Sequence, residues 1–289
     1  MSNEASAPAT SDSFETVTYE LPRDGVARIM LDRPEVANAQ DKQLLYELNA
    51  AFDLAVADDD VKVIILGANG KHFSSGHDLR DRSEFAEFDT VGPVGGFSKP
   101  GAEGMMAREE EIYLGFCNRW RNLPKPTIAQ VQGKVIAGGL MLMWPCDLVV
   151  ASEDAQFSDP VVAFGVNGVE YFAHAFELGP RRAKELLFTG EAMGAEEALA
   201  IGMVNRVVPR EELESETMAL AERIASRPSM GLKLAKMSVN QSVDAMGFPV
   251  ALQSAFGLQH VGHAHNQWVH GMVVDPSGAD VIRSDAKKS

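Results

Sequence analysis

The sequence predicts an α/β fold that ends in helices. Three observations carry this expectation. Apolar runs of strand length, 61–68 foremost, alternate with segments of helical periodicity. Those runs are β-branched and almost continuously apolar, as in strands covered on both faces. Beyond about residue 181 the strand signals fade and helical patterns follow one another.

The elements follow in chain order. Residues 1–13 are mostly small and polar, with no apolar core, and are expected to form a disordered tail. They lack the basic start and apolar stretch of a secretory signal. Residues 26–31 (VARIML) form a short apolar strand. Residues 43–56 place Leu44, Leu45, Leu48, Ala51, Phe52 and Ala55 on one helical stripe. Residues 61–68 (VKVIILGA), 127–132 and 147–151 are further strands, and 138–143 is a short buried helix between the last two. Residues 181–188, 195–201, 211–225 and 230–243 carry helical patterns. Residues 90–104 break the alternation with repeated Gly, Pro93 and Pro100. That composition fits a mobile surface loop or a lid beside a site. The expected organisation is a tail over 1–13, a core over 14–210 and a helical region over 211–289.

The chain has 289 residues and a formal net charge of −15, with 45% hydrophobic and 23% charged residues. These proportions are ordinary for a globular protein. The acidity argues against a nucleic-acid partner, which wants a basic face. It also argues against docking on anionic lipid. No apolar run reaches the ~18–20 residues of a membrane span. Cys117 and Cys146 cannot make a disulfide framework and have no metal spacing. A cytoplasmic protein is expected, with neither nucleic acid nor membrane as partner.

Dinucleotide, P-loop, His-Glu-x-x-His and Gly-x-Ser-x-Gly motifs are all absent. Chemistry must then rest on backbone groups or scattered side chains. Two Gly-rich turns follow strands: Lys71 to Leu79 (KHFSSGHDL) and Gln132 to Leu140 (QGKVIAGGL). Glycine lets backbone approach a ligand closely. A turn that opens a helix leaves free N–H groups with the helix dipole behind them. Two such groups aimed at one point would hold an oxyanion. Either turn alone reads equally well as structural.

Several segments together resemble the crotonase (enoyl-CoA hydratase/isomerase) superfamily. Residues 33–39 (RPEVANA) are similar to its RP…NA motif, and 73–79 (FSSGHDL) to its FSAGADL segment. Residues 133–139 with Cys146 and Asp147 resemble its G…GGG…CD pattern. Residues 155–157, 187–190 and 195–208 resemble further signatures, all in order between about 14 and 243. The resemblance implies a ββα spiral with a C-terminal helical region, assembled as a homotrimer or a dimer of trimers. It implies an acyl-CoA thioester as substrate, no separate cofactor and no metal. The backbone N–H groups of His77 and Gly138 would stabilise an enolate-like oxyanion. Val36, Ala37, Ser75, Asp78 and Leu79 would lie along the CoA. Asp78 could alternatively cap a helix. Local Lys or Arg is expected near the CoA entrance despite the net charge.

The chain also departs from the family pattern. The positions of the two hydratase glutamates hold Met141 and Val161, which cannot transfer protons. Met141 is expected to line the acyl pocket, and Pro145 to end its helix. Residues 165–171 (GVNGVEY) lie where some family members carry a carboxylate, which makes Glu170 the leading acid/base candidate. The alternative for Glu170 is a surface position at the start of a helix. His174, four residues on, would share a helical face with it, and Asp159 is a further option. The expected reaction is hydration of an enoyl-CoA. Double-bond isomerisation by a single carboxylate is the main alternative, then thioester hydrolysis or C–C cleavage, or binding without turnover. His260, His263, His265 and His270 fall within eleven residues. Their spacing is not that of a metal site, and an exposed or intersubunit segment is expected there, with pH-responsive assembly open to it.

Overall fold

The computed structural model describes residues 14–285. The tail expected over 1–13 lies outside them. The chain enters through β1 (Val17–Arg23), which pairs antiparallel with β2 (Val26–Leu31) from Val17↔Leu31 to Arg23↔Val26. The register slips between Glu20 and Arg23, where Pro22 has no N–H to give. Helix α1 (Lys42–Ala57) follows, capped by Asp41, whose carboxylate accepts from the Leu44 N–H at 2.8 Å. Its predicted stripe is buried from Leu44 to Ala55.

The sheet then grows in parallel. Strand β3 (Val63–Ala68) pairs with β2, and β4 (Thr127–Val131) pairs with β3. A small second sheet begins with β5 (Lys134–Ile136). Strand β6 (Leu148–Ser152) returns to the main sheet beside β4, and β7 (Gln156–Ser158) pairs with β5. Strand β8 (Met193–Gly194) completes the small sheet, and β9 (Arg206–Val208) the large one. The main sheet thus runs β1-β2-β3-β4-β6-β9 and the small one β5-β7-β8.

Strand β3 explains why its sequence is apolar throughout. Ile64, Leu66 and Ala68 face the main core with α1, while Val63 and Ile65 face a second cluster. The second cluster is closed by Leu213, Leu220, Ala221 and Ala225 of a C-terminal helix. Both faces are therefore covered. Cutting a fully buried Ile or Leu here to Ala would cost about 2–5 kcal/mol.

The helices between and after the strands are α2 (Gly101–Glu109), α3 (Phe116–Arg121), α4 (Gly138–Met143), α5 (His174–Glu177), α6 (Pro180–Thr189) and α7 (Ala195–Ala200). Then come α8 (Leu213–Ala225), α9 (Ser229–Ala245), α10 (Phe248–His270) and α11 (Gly278–Asp285). No helix among the described residues is long and apolar enough to cross a membrane.

Two expectations need correction here. Residues 90–104 are not one loop, because Gly101 already opens α2. That helix runs through a single π turn, Glu110–Gly115, into α3. The loop before it is tied down. The Val91 and Gly92 N–H groups donate to the buried Glu111 carboxylate, at 2.5 and 2.9 Å. The Arg108 guanidinium donates to the Phe97 carbonyl at 2.7 Å. The second correction is α10, 23 residues long, which carries the C-terminal histidines. Its buried face runs Leu252, Ala255, Phe256, Gln259, His260, His263, Asn266, so its second half is polar inside and escapes an apolar-periodicity reading.

Candidate active site

The two Gly-rich turns meet. The Ser74 N–H donates to Lys134 O at 3.2 Å, and the Ile136 N–H returns to Ser74 O at 3.0 Å. Gly76 has φ 91°, and a Cβ there would lie 2.8 Å from Ile136 O and 3.2 Å from the Gly138 nitrogen. Only glycine permits this approach. Beside it, the His77 N–H and the Gly138 N–H have no protein acceptor among the described residues. Gly138 is the first residue of α4, so the helix dipole adds to its donor. Its neighbour Ala137 sits at φ 48°, ψ −113°, a region that L residues rarely occupy. The first turn opens no helix. Asp78 instead accepts from the Arg80 N–H at 3.0 Å and pairs with Arg33 at 3.1 Å, so it caps a turn rather than a helix.

The segment around Val36 runs alongside the first turn. The Ser75 N–H donates to Ala37 O at 2.9 Å, and the Asp78 N–H to Gln40 O at 2.8 Å. Val36, Ala37, Ser75 and Asp78 therefore share one ridge, which continues to the largely exposed Leu79 (75%). Lys71, Lys134 and Arg210 gather around His72 close by. The Lys134 N–H donates to His72 Nδ1 at 3.1 Å, and Arg210 donates to the Gly70 and Lys71 carbonyls at 3.0 and 3.2 Å. Partial burial and then these cations push the His72 imidazole below its usual value. With Asp154, which pairs with Arg210 at 2.8 Å, these cations form a local charged knot, basic on balance, beside the turns of an acidic chain.

The side chain of His77 reaches Glu170. Its Nε2 lies 3.1 Å from Glu170 Oε2, and its ring stacks on Tyr113 at 4.1 Å. Glu170 is 5% exposed, so it is no surface residue, and it lies in an irregular stretch rather than a helix. Its other oxygen accepts from Gln259 Nε2 of α10 at 3.3 Å. Burial opposes its charge, but the charge and hydrogen bond of His77 outweigh burial and hold the carboxyl below its usual value.

His174 does not join Glu170. It starts α5, and its Nε2 lies 2.8 Å from Asp159 Oδ2, with both side chains fully buried. Asp159 also accepts from the Val169 and Val161 N–H groups, at 3.1 and 3.3 Å. This pair holds the segment that carries Glu170. Met141 belongs to the core, 1% exposed, and Val161 packs against it.

The C-terminal histidines divide. His260 and His263 are buried against Glu109, 3.4 and 3.8 Å away, while His265 and His270 are exposed. Of the expected exposed or intersubunit segment, His260 and His263 correct the exposed alternative, while His265 and His270 stay on the surface. No group of three or more His, Cys, Asp or Glu is placed to hold a metal among the described residues. A cavity of about 310 Å³ opens elsewhere, between β5, β7 and α11, and holds none of the expected site residues.

The family model for enoyl-CoA hydratase/isomerase matches residues 22–273. The chain belongs to the enoyl-CoA hydratase/isomerase family. EchA13 of Mycobacterium tuberculosis, named among the enoyl-CoA hydratases, is 50% identical over 260 residues, 87% of this chain and 82% of that protein. The mouse protein called enoyl-CoA hydratase domain-containing protein 3, mitochondrial, is 36% identical over 259 residues, 88% of this chain and 78% of that one. A crystal structure described as a probable enoyl-CoA hydratase of Mycobacterium smegmatis is 51% identical with a TM-score of 0.82, covering 90% and 98% of the two chains. A monofunctional enoyl-CoA isomerase of the same organism is 28% identical, with a TM-score of 0.63 and coverage of 79% and 94%. The crotonase fold expected from the motifs is thereby established. Met141 and Val161 stand at the two positions where the motif resemblance leads one to expect the glutamates of a hydratase.

The sequence reading missed Glu109 and Gln259. Nothing local distinguishes Glu109 from Glu110 and Glu111. Only the π turn separates their environments.

Proposed function

We propose that this chain transforms acyl-CoA thioesters by stabilising an enolate. The His77 and Gly138 N–H groups receive the thioester oxygen as it gains charge, and Glu170 takes or returns the adjacent proton. The observation that carries this reading is the pair of acceptor-free N–H groups on adjoining turns, beside a buried ionised carboxylate. Preorganised donors of this kind are worth about 3–4 kcal/mol each at comparable oxyanion sites. The CoA lies along Val36, Ala37, Ser75, Asp78 and Leu79, and Lys71, Lys134 and Arg210 offer charge to its phosphates. No separate cofactor or metal enters the reaction.

Self-assembly is part of the proposal. Val250, Leu258, Val261 and Trp268 lie on one face of α10, at spacings of whole helical turns, and are 58–94% exposed. An apolar stripe of this length fits a second copy of the chain, in a trimer or a dimer of trimers.

The test is a panel of 2-enoyl-, 3-enoyl- and 3-hydroxyacyl-CoAs with products identified by mass, run on the wild type and Glu170→Gln. Turnover of at least one class, lost in the variant, is expected. Binding without turnover across the panel would leave a non-catalytic acyl-CoA-binding protein instead.

A further inference from the structure

The side chain of His77 adjoins the turns that its backbone helps to build. Its Nε2 lies 3.1 Å from Glu170 Oε2. An ionised carboxylate only accepts, so Nε2 carries a hydrogen. The other ring nitrogen, Nδ1, is buried and has no hydrogen-bond partner among the described residues. It is turned toward the second Gly-rich turn. A Cβ on Gly138 would stand 2.8 Å from His77 Nδ1 and 2.8 Å from Cε1. The ring edge that carries Nδ1 thus abuts the residue whose own N–H has no protein acceptor among the described residues. Tyr113 holds the ring in this place, stacked on it at 4.1 Å between centroids.

In the neutral ring Nδ1 is then a lone pair, and in the imidazolium it is a donor. Acceptors stand around the ring. Glu170 holds one edge. Gln40 Oε1, also buried and unpartnered, lies 3.0 Å from the same Cβ position on Gly138. The Gln40 amide is fixed this way round. Its Nε2 donates to Ser74 Oγ at 3.3 Å, and the Ser74 hydroxyl gives its own hydrogen to the Asn38 carbonyl at 2.8 Å. An oxyanion on the two backbone N–H groups would be a further acceptor beside Nδ1. A lone pair there would meet negative charge with negative charge, whereas an N–H meets it with a donor.

We infer that the His77 imidazolium is a third oxyanion donor, with Nδ1–H on the thioester oxygen and Nε2–H on Glu170. The inference rests on the acyl-CoA reading above. Glu170 takes the proton from Cα. The C–H electron pair forms the C=C bond of the enolate, and the carbonyl π pair moves onto the thioester oxygen. Negative charge thereby leaves Glu170 and arrives on that oxygen. His77 touches both ends of the transfer. Before it, the cation is paired through Nε2 with the carboxylate, and after it through Nδ1 with the enolate. The ring itself neither gains nor loses a proton. A contact that strengthens as the charge moves lowers the barrier rather than tightening substrate binding. A purely backbone hole is indifferent to the side chain of its residue, and here that side chain joins it.

The test uses His77→Phe, which keeps a ring against Tyr113 and the backbone N–H but removes both ring donors. Infrared spectra follow the carbonyl stretch of bound, carbonyl-labelled butanoyl-CoA, and NMR follows exchange of its α-hydrogens in D2O. Nitrogen NMR of the wild-type complex reads the His77 ring directly. The wild type is expected to show both ring nitrogens protonated and a carbonyl stretch below that of free butanoyl-CoA. His77→Phe is expected to lose part of that displacement and about 10²–10³-fold of the exchange rate, with little change in Kd. A lone pair on either ring nitrogen in the wild-type complex would overturn the inference, whether or not the variant folds. Exchange at the wild-type rate in the variant would overturn it too. So would exchange lost with the carbonyl stretch unmoved, which would leave His77 a positioning residue for Glu170. In each of these cases a wild type that exchanges the α-hydrogens spares the acyl-CoA reading. A wild type that neither binds nor exchanges any acyl-CoA would overturn both.

Discussion

His77 Nε2 stands 3.1 Å from Glu170 Oε2, so one residue joins the oxyanion turn to the carboxylate. Its backbone N–H has no protein acceptor among the described residues, while its ring carries the hydrogen bond. Replacing the ring leaves the backbone donor in place. His77→Gln should therefore keep binding but release Glu170 from the charge that depresses it. The acid limb of the turnover profile, read from pH 4 to 8, is expected to move to higher pH. A limb that does not move would remove His77 from the account.

Gly138 is constrained by that same ring. A Cβ there would lie 2.8 Å from His77 Cε1 and Nδ1 and 3.0 Å from Gln40 Oε1. Gly138→Ala must displace His77 to fit, at about 1–3 kcal/mol of overpacking. Turnover is expected to fall about 10²–10³-fold, as when an oxyanion donor is lost. Steady-state kinetics beside a urea unfolding curve separates the two effects.

Glu177 gives a pH signature remote from the chemistry. Burial, opposed by the charge of Arg121, raises its carboxyl to about 7. Between the usual carboxylate range and about 7 the folded chain binds more protons than the unfolded one, so stability falls as pH rises. The stability tied to its protonated form is whole below the unfolded value and lost through about 7. Urea midpoints at pH 5 and pH 7.5 should differ in the wild type and differ less in Glu177→Gln.

The apolar stripe on α10 predicts assembly. Trp268 is 94% exposed and Val261 63%. A Trp268→Glu, Val261→Glu double variant should sediment at lower mass than the wild type. Equal mass for both would remove α10 from the interface.

Strands β2, β3, β4 and β6 were legible in the sequence because each is a compact apolar run. Strands β5, β7 and β8 were not, since two or three residues cannot establish a period. Strand β1 was hidden by its exposed outer face, where Leu21 is 56% exposed and Pro22 interrupts the ladder. The turn residues His77, Gly138 and Ser75 were read from motif position, and Glu170 from its place in a Gly-rich stretch. The partner of Glu170 was not foreseen. The expected neighbour, His174, turned instead to Asp159, because Glu170 lies in irregular backbone where helical spacing does not apply. Glu109 and α10 escaped for a shared reason. Their buried atoms are polar, and a pattern search for apolar faces passes over them.

The central claim is that Glu170 moves the proton next to a thioester polarised by His77 and Gly138. The measurement that tests it most directly is α-hydrogen exchange of butanoyl-CoA in D2O, followed by NMR in wild type and Glu170→Gln. The account predicts exchange in the wild type and a loss of about 10²–10⁴-fold in the variant. Exchange at equal rates in both would contradict it.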